Sequence, residues 1–518
     1  MRLGRRPLPA RTLRFAPGFS MTILPIPRKH LAAAMLAGLA LRVLFIVHFP
    51  FAAGDSRFYE ELARNWADQN VYGLFLWGEV MPLDVRMPGY PAFLAAIYAV
   101  VGRTSSAVMG VQAVVDLMTC LLTALIAARL APASKRTLVA TAALWMAALC
   151  PFTANYSAVI LTETLATFLT TLALLVLVRV LDDPSVGLPL HPFDRRTLFS
   201  RVGGWLLGGI LVGVGTLVRP ETPLLLLAAG LVLAVRWRYR ADWSKLALAV
   251  SWMAVGLLLP LMPWAVRNAR TFGRVEFLAP RYAEMRGDFI PRGFHAWTQT
   301  WMVRFRDAYL APWKLRKEPI PMETLPGSAF DSDEERARVA ALLNHYNSAL
   351  QMTPTLDHQF AILASERTAR RPLRTFVFIP LARVWMIWFT PRIELLPYSG
   401  DLWPPREKWQ SNQTDFGVTL GFGFLGFAYA GLALMGVARC RTQSGVALLV
   451  TFLVTRTAFL TQLQTVEPRY VIVCFPAVLA LGALAWATLQ GPPRPQSAES
   501  SATRHFLTSG YPPTSPSA

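Results

Sequence analysis

Apolar runs of nearly the length that crosses a lipid bilayer recur along this chain, and they constrain its fold more than any other feature. A membrane-spanning helix needs about 20 consecutive, mostly apolar residues. Only 16% of the residues are charged, whereas soluble domains are typically about one quarter charged. The sequence therefore predicts an all-α polytopic membrane protein with about 10–11 membrane helices, amphipathic helices on the outer face and a small helical extramembrane region.

The net charge of +20 does not require a nucleic-acid partner. Cytoplasmic loops of membrane proteins carry an excess of lysine and arginine, and this rule explains the basic loops more simply. We therefore expect no nucleic acid among the partners. The four cysteines lie in or beside apolar segments at unrelated spacings and the seven histidines are scattered. This pattern indicates buried free thiols and predicts no disulfide framework, no metal site and no cofactor.

Basic loops predict how the chain is oriented in the membrane. The N-terminal segment, residues 1–30, carries arginines and a lysine but no acid, so we expect it on the cytoplasmic side. No small-residue cleavage site follows the first apolar run, Leu31 to Phe49, and we interpret that run as an uncleaved anchor. The polar loop after it, residues 50–91, then faces outward.

Changes between apolar and polar composition divide the chain into segments. They are a basic cytoplasmic N-terminus (1–30), a membrane core (31–268) that contains the first outer loop (50–91), an outer-face helical region (269–372), C-terminal membrane helices (373–490) and a Pro/Ser-rich tail (491–518). We expect the tail to be disordered. Within the C-terminal part, the short run Phe376 to Phe389 is interrupted by Pro380 and Arg383, so we expect it to dip into the membrane or lie along it.

Helical spacing predicts two helices outside the membrane spans. In the outer loop, Phe58, Leu62 and Trp66 recur at helical intervals, which indicates an amphipathic helix on the membrane surface. In the later helical region, Ser332 to Glu335 reads as a capping box in front of a second amphipathic stretch.

The outer loop at 50–91 also holds the clearest candidate site. Asp55 follows a glycine, Tyr59 lies four residues further on, and the loop ends in an Arg-x-Pro-Gly-Tyr-Pro cluster that contains Arg86 and Tyr90. A carboxylate at a bilayer surface, with an arginine that returns to the same surface, is a layout typical of a reaction site. The alternative is an ordinary acidic loop with a snorkelling arginine.

Charged residues mark the outer ends of other predicted spans. Glu163 begins an apolar helix, where an acid is costly unless it has a partner. Thr162 is a possible cap for that helix, and the helix dipole would favour the charge, so capping alone is one explanation for Glu163. Interfacial anchoring is the corresponding explanation for the arginines. The further outward residues are Arg219, Glu221, Arg267, Arg469 and Tyr470.

These outward motifs occur in a fixed order. They read Gly-Asp-x-x-x-Tyr at 54–59, Arg-x-Pro-Gly-Tyr-Pro at 86–91, Thr-Glu at 162–163, Arg-Pro-Glu at 219–221, Pro-Trp-x-x-Arg-Asn at 263–268 and Pro-Arg-Tyr at 468–470. In this order the set resembles the C-type (GT-C) integral-membrane glycosyltransferases over residues 31–490. The branch it resembles contains protein O-mannosyltransferases and lipid A aminoarabinose transferases. Some relatives have Asp-Glu where this chain has Asp55-Ser56, so no carboxylate pair is expected there.

The resemblance implies an enzyme that transfers a hexose or pentose from a polyprenyl-phosphate donor to a lipid, protein or glycan acceptor. Transfer would be an inverting displacement at the outer face, with Asp55 as the base and Glu163 as a second carboxylate that orients the sugar or an arginine. The phosphate leaving group needs cations placed for the departing charge, and arginine can bind it through two N–H groups. The expected phosphate ligands are Arg86, Arg267, Arg469 and Arg219, and the expected substrate-binding residues are Tyr59, Tyr90, Glu221 and Tyr470.

Two other functions stay open at this point. A lipid-linked glycan flippase or transporter would be expected to show internal repeats and polar residues in mid-span. We find no repeat, and the charged residues cluster at one set of span ends. An oligosaccharide ligase or polymerase would use closely related chemistry. The partners we expect are the lipid-linked donor, the acceptor and membrane lipids, in a bacterial inner membrane with the site facing the periplasm.

Overall fold

The computed structural model describes residues 25–182, 195–237, 243–280, 285 and 287–488. Their regular secondary structure is helical apart from one two-stranded sheet. Among them, six helices are long and apolar enough to cross a membrane, or up to eight spans if each of two bent helix pairs is one span. Four shorter apolar helices have 10–17 residues, and the predicted spans include several of these. The prediction of an all-α polytopic membrane protein is confirmed.

The outer loop folds into an amphipathic helix and a hairpin. The first elements are α1 (Arg28–His48), α2 (Gly54–Gln69), β1 (Gly73–Leu76), β2 (Glu79–Pro82) and α3 (Gly89–Val100). Leu62 of α2 is fully buried, and Phe58 and Trp66 pack in the same apolar cluster. The predicted amphipathic helix is therefore confirmed, and its apolar face packs against the protein. Its position on the membrane surface stays a prediction.

The hairpin formed by β1 and β2 was not predicted, because the pattern of residues 50–91 indicated a loop. Its strands pair in antiparallel fashion, with Leu76 opposite Glu79. The two turn residues, Trp77 and Gly78, have φ values of 52° and 95°. A two-residue hairpin turn of type I′ needs positive φ at both positions and usually contains Asn-Gly or Asp-Gly. Because tryptophan takes the first position here, the usual signal was absent.

The membrane core continues with helices that largely match the predicted spans. They are α4 (Ser105–Leu130), α5 (Arg136–Ala148), α6 (Pro151–Ala154), a 3-10 helix (Asn155–Ala158), α7 (Glu163–Leu181), α8 (Arg195–Val218), α9 (Leu224–Trp237) and α10 (Trp243–Phe272). One prediction was wrong. Residues 263–268 were expected to form an outward turn, but α10 runs through them despite Pro260 and Pro263. Membrane helices tolerate such prolines because neighbouring groups satisfy the freed backbone atoms.

A buried ion pair fixes α1 against α4 and α5. Arg42 donates through Nε and Nη2 to Oδ2 of Asp116, at 2.9 and 2.6 Å. Its Nη1 donates to the carbonyl oxygens of Gly38 and Ala148 at 2.7 and 2.9 Å. Both charged side chains are buried. Since an unpaired charge in a membrane core is costly, this network favours one register of the three helices.

Glycines allow α8 and α10 to approach closely. A Cβ added at Gly209 would lie 2.3 Å from the carbonyl oxygen of Met253, and one at Gly213 would lie 2.5 Å from that of Leu257. The same holds from the other side, where a Cβ at Gly256 would meet Leu206 O at 2.4 Å. Small residues at such positions are how membrane helices pack backbone against backbone. The four-residue spacing of Gly209 and Gly213 in the sequence favours this packing.

Gly209→Ala is expected to destabilise the protein by about 1–3 kcal/mol, because the new methyl group has to push α8 away from α10. Gly203→Ala on the same helix is the matched control, since a Cβ there meets nothing within 4 Å. That control should be neutral or slightly stabilising, as alanine favours a helix more than glycine does. Thermal unfolding of the purified variants measures both effects. Equal melting temperatures for the two variants would contradict the close packing.

The rest of the chain forms a helical region and the last membrane helices. The elements are α11 (Arg292–Gln299), α12 (Asp307–Leu310), α13 (Asp333–Ala349), α14 (Pro354–Arg370), α15 (Ile379–Phe389), α16 (Pro405–Ser411), α17 (Gln413–Cys440), α18 (Ser444–Leu460), a 3-10 helix (Pro468–Cys474) and α19 (Phe475–Ala483). The four cysteines are free and buried, as predicted. The predicted tail (491–518) and most of the basic N-terminus lie outside the described residues.

The helical region between α10 and α15 has an apolar core of its own. Its buried side chains come from α11, α13 and α14 and include Trp297, Tyr346 and Phe360. Ser332 caps α13, because its hydroxyl accepts a hydrogen bond from the amide of Glu335 at 3.1 Å. The predicted helix start is therefore confirmed, but the predicted capping box is not, because the Glu335 carboxylate pairs with Arg367 and Arg370. The proposal that this region stands on the outer face stays a prediction.

Candidate active site

Backbone pairing places the start of α2 beside the segment that leads into α7. The amide of Phe51 donates to the carbonyl oxygen of Ala158 at 3.1 Å, and Phe51 forms an isolated parallel bridge with Val159. Asp55 lies in the first turn of α2, and Glu163 is the first residue of α7. Both carboxylates thus stand at helix N-termini, where the backbone dipoles stabilise negative charge.

Two arginines from distant parts of the chain hold the carboxylate of Asp55. Arg86 donates through Nη2 to Oδ1 at 3.3 Å, and Arg469 donates through Nη2 to Oδ2 at 3.1 Å. Arg86 comes from the end of the same outer loop, and its guanidinium lies 5.2 Å from the ring centre of Phe58. The structure therefore brings together the acid and the arginine of that loop and adds an arginine from the C-terminal region.

Arg469 extends this contact to two buried acids. Its Nε lies 2.6 Å from Oε2 of Glu467 and 3.8 Å from Oε1 of Glu163. The ring of Tyr470 lies beside the guanidinium, 5.6 Å from its carbon, and the tyrosine hydroxyl donates to Oε1 of Glu467 at 2.5 Å. Arg469 is therefore held by three carboxylates at once.

Arg219 pairs with Glu163, and its contact with Thr162 shows that the capping hypothesis was wrong for that threonine. It donates through Nη2 to Oε1 of Glu163 at 2.6 Å and through Nη1 to Oε1 of Glu221 at 3.3 Å. Thr162 does precede α7, but its hydroxyl accepts from Nε of Arg219 at 3.0 Å, and its side chain makes no capping bond. Glu163 is thus an ion-pair partner of arginines, which is more than the capping explanation requires.

Two charged residues of this cluster were missed as site candidates. Arg456 of α18 donates through Nη2 to Oε1 of Glu221 at 3.0 Å and to the carbonyl oxygen of Tyr470 at 3.2 Å. Glu467 lies one step before the Pro-Arg-Tyr motif and is buried. A charged residue inside an apolar run is a signal that should have identified Arg456, because such residues are rarely without function in a membrane.

Exposure is graded along the cluster. Four carboxylates and four guanidinium groups balance in charge, and the end around Asp55 is the most open. The side chains of Asp55, Arg86 and Arg469 are 30%, 26% and 20% exposed, whereas those of Glu163 and Arg456 are 1% exposed. The members of this charge cluster are Asp55, Arg86, Glu163, Arg219, Glu221, Arg456, Glu467 and Arg469.

The pKa of Asp55 is below its ordinary value of 3.8. Burial raises this pKa, but the charges and hydrogen bonds of Arg469 and Arg86 outweigh the burial. Glu221, on the loop between α8 and α9, has a lowered pKa as well, because Arg456 and Arg219 more than offset its burial. Both groups are therefore ionised at neutral pH, and the open end of the cluster presents a carboxylate between two cations.

Tyr59 and Tyr90 lie next to each other, and Tyr59 is about one helical turn after Asp55 in α2. Their rings meet edge to face, with centroids 5.2 Å apart. Tyr90 is fully buried and donates to Oε1 of Gln112 at 2.8 Å. Tyr59 is partly buried, and burial raises its pKa. The structure thus leaves Tyr59 within reach of the open end of the cluster but places Tyr90 in the protein core.

Arg267 of α10 contacts the residues that flank the two strands of the hairpin. It donates through Nη2 to the carbonyl oxygen of Tyr72 at 2.9 Å and through Nη1 to that of Leu83 at 2.8 Å. Its guanidinium also lies 5.1 Å from the ring centre of Trp264. Because α10 continues as a helix through this residue, its side chain projects onto the strands. Arg267 joins α10 to the outer loop.

Within the described part of the chain, no group of three or more His, Cys, Asp or Glu side chains could hold a metal ion.

Comparison with known proteins gives a structural likeness at low identity. No protein-family profile matches the chain, and no curated protein matches it. Among solved structures, it is similar to the archaeal oligosaccharyltransferase AglB from Archaeoglobus fulgidus in complex with an inhibitory peptide and a dolichol-phosphate, at 14% identity and a TM-score of 0.47. It is also similar to the Archaeoglobus fulgidus oligosaccharyltransferase in complex with Zn and sulfate, at 13% identity and a TM-score of 0.45.

Both alignments cover 88% of this chain and 50% of the other, so the chain spans about half the length of the structures it matches.

Proposed function

We propose that this protein is a membrane glycosyltransferase that moves a sugar from a polyprenyl-phosphate donor to a lipid, protein or glycan acceptor. The observation that carries the proposal is the open end of the charge cluster, where Asp55 lies between Arg86 and Arg469. One carboxylate can take a proton, and two guanidinium groups can bind a phosphate. Base and phosphate ligands are the two parts that an inverting sugar transfer from a lipid phosphate needs.

Donor binding would start by competition for the arginines. The cluster is neutral as it stands, so an incoming phosphate has to replace a carboxylate as the partner of a guanidinium. Asp55 is the most exposed of the four carboxylates, and its contacts of 3.1 and 3.3 Å are longer than the 2.6 Å contact between Arg219 and Glu163. The phosphate would therefore displace Asp55 first, from Arg86 and Arg469.

This exchange would also prepare the base. A carboxyl with a pKa below 3.8 is a weak base. Once the negative phosphate has taken up the charge of Arg86 and Arg469, the pKa of Asp55 should rise, because a cation beside a carboxylate stabilises its ionised form. Asp55 would then become a better proton acceptor only when the donor is in place.

The transfer step is a single displacement. The acceptor oxygen attacks the anomeric carbon while its proton passes to Asp55, and the bond from that carbon to the phosphate oxygen breaks. The departing lipid phosphate gains negative charge, which Arg86 and Arg469 stabilise. In this mechanism Glu163 and Glu467 are positioning residues that hold Arg469 in place. Arg219 and Glu221 are positioning residues that act through Glu163.

The remaining predicted residues receive different roles. Tyr59 and Tyr470 border the open end and would contact the sugar or the phosphate. Tyr90 and Arg267 would act indirectly, since one supports Tyr59 from the core and the other fixes the hairpin of the outer loop. The site would face the periplasm of a bacterial inner membrane, as the basic N-terminal segment indicates.

The test is transfer of radiolabelled sugar from a panel of polyprenyl-phosphate hexoses and pentoses, in membranes that contain the protein or lack it. We expect at least one donor to give labelled product only when the protein is present. The same donors enclosed in vesicles test the transporter. Movement of intact donor across the vesicle membrane, with no labelled product, would replace the proposed transferase with a flippase.

A further inference from the structure

The junction of α14 and α15 has a basic and apolar surface that the proposed transfer does not use. The two helices meet at an angle of 97°, where a polar helix gives way to an apolar one. A cavity of about 540 Å³ lies at this bend. Its lining residues are Arg370, Arg371, Pro372, Leu373, Arg374 and Phe378.

The polar side of the cavity has an excess of positive charge. Arg370 binds Oε2 of Glu335 at 2.5 Å, and Arg374 is paired with Asp331. Buried Arg367 is paired with the same two acids. Among the described residues Arg371 forms no ion pair, and it is exposed. Three arginines therefore share two carboxylates, and Arg371 adds a fourth positive charge, so the rim of the cavity is cationic.

The other side of the cavity is apolar and open. Leu373 and Phe378 line the cavity and are 64% and 62% exposed, and Phe376, which lies between them in the sequence, is 70% exposed. Three large apolar side chains within six residues at such exposure are uncommon on a surface that faces water only.

Along α15, Leu381 and Trp385 are also exposed, at 60% and 56%. Trp385 and Phe389 both lie against Phe427 of α17, a helix long enough to cross the membrane, so exposed apolar side chains extend from the cavity to that helix.

We propose that the junction binds the phosphate headgroup of an anionic phospholipid of the surrounding bilayer. The guanidinium groups of Arg371 and Arg370 would take the phosphate, and the acyl chains would lie against Leu373 and Phe378. Arginine suits this ligand because its planar fork binds phosphate oxygens and its stem packs on apolar groups. The junction shares no residue with the charge cluster around Asp55, so this site does not depend on the proposed transferase activity.

Native mass spectrometry of the purified full-length protein tests the site. The protein is mixed with phosphatidylglycerol or with phosphatidylcholine at equal concentrations, and retained lipid is counted. We expect the wild type to retain phosphatidylglycerol preferentially. Arg371→Gln should weaken phosphatidylglycerol binding about fivefold, the effect of one basic residue at an anionic surface. Leu373→Ser should weaken retention of both lipids and leave their ratio unchanged.

Arg338→Gln is the matched control. Arg338 belongs to the same helical region, is 44% exposed and is paired with Glu366 at 2.8 Å. The substitution removes the same charge as Arg371→Gln at a residue that does not line the cavity. It should bind phosphatidylglycerol like the wild type. Equal loss in Arg338→Gln and Arg371→Gln would overturn the site in favour of a general charge effect. Preferential retention of polyprenyl phosphate over phosphatidylglycerol would overturn the assignment to a bilayer phospholipid.

Discussion

Asp55→Asn should reduce sugar transfer by at least about 100-fold, since general-base catalysis contributes about 10²–10⁴-fold and an amide cannot take the proton. The fold should persist, because Asp55 is partly exposed and the amide has the same shape as the carboxylate. Donor binding should be retained or become tighter, because the substitution removes the group that competes with phosphate for Arg86 and Arg469. The expected signature is a lower kcat with an unchanged or lower KM for the donor.

Asp68→Asn is the control for this variant. Asp68 lies on the same helix, is 45% exposed and is paired with Arg103 at 2.6 Å, so its loss removes a carboxylate and an ion pair without reaching the charge cluster. Its transfer rate should match that of the wild type. Initial rates of labelled product, together with the melting temperature, distinguish the two variants. If Asp55→Asn transferred sugar as fast as Asp68→Asn, Asp55 would not be the base.

Arg469→Lys should lower transfer by about 10²–10³-fold, the usual effect of removing one group that stabilises developing charge. Lysine keeps the positive charge but cannot span Asp55, Glu467 and Glu163 as the guanidinium does. Arg469→Gln should be at least as inactive and less stable, because the buried acids Glu163 and Glu467 would lose a cationic partner.

The pH dependence of Arg469→Gln should also change. Removal of a cation beside a carboxylate raises the carboxyl pKa, so the pKa of Asp55 should move up towards 3.8 or above it. Residual transfer should therefore begin to fall at a higher pH than in the wild type as the medium is acidified. Arg103→Gln, which removes an exposed arginine of the adjoining segment, is the control and should leave rate and pH profile unchanged.

An unaltered rate in Arg469→Lys would exclude Arg469 from phosphate binding.

Local patterns were sufficient for the membrane helices and for many residues of the cluster. An apolar run in lipid has to form a helix to satisfy its own backbone, so the spans could be located from composition and length alone. The amphipathic spacing of Phe58 and Leu62 likewise identified α2, because the side on which a helical side chain lies follows from its position in the chain. The start of α13 followed from Ser332, because serine is a preferred N-cap residue.

Contacts between distant segments could not be obtained in this way. Arg456 and Glu467 join the cluster only because α18 and the following 3-10 helix fold against the loop that carries Glu221. The contact of Arg267 with the hairpin could not be obtained for a related reason. The predicted span ended before Pro263, but the helix continues through it and directs the Arg267 side chain onto the hairpin.

The sequence by itself determined the helical membrane fold and the acidic and basic residues from which a site could be built. These depend on hydrophobicity and on periodicity along the chain, which are local properties. Only the tertiary structure decided that Asp55 meets Arg469, 414 positions away, and that Glu163 pairs with Arg219 and does not simply end a helix. The reason is physical, because the strength of an ion pair depends on distance and burial, and both are set by how the helices pack.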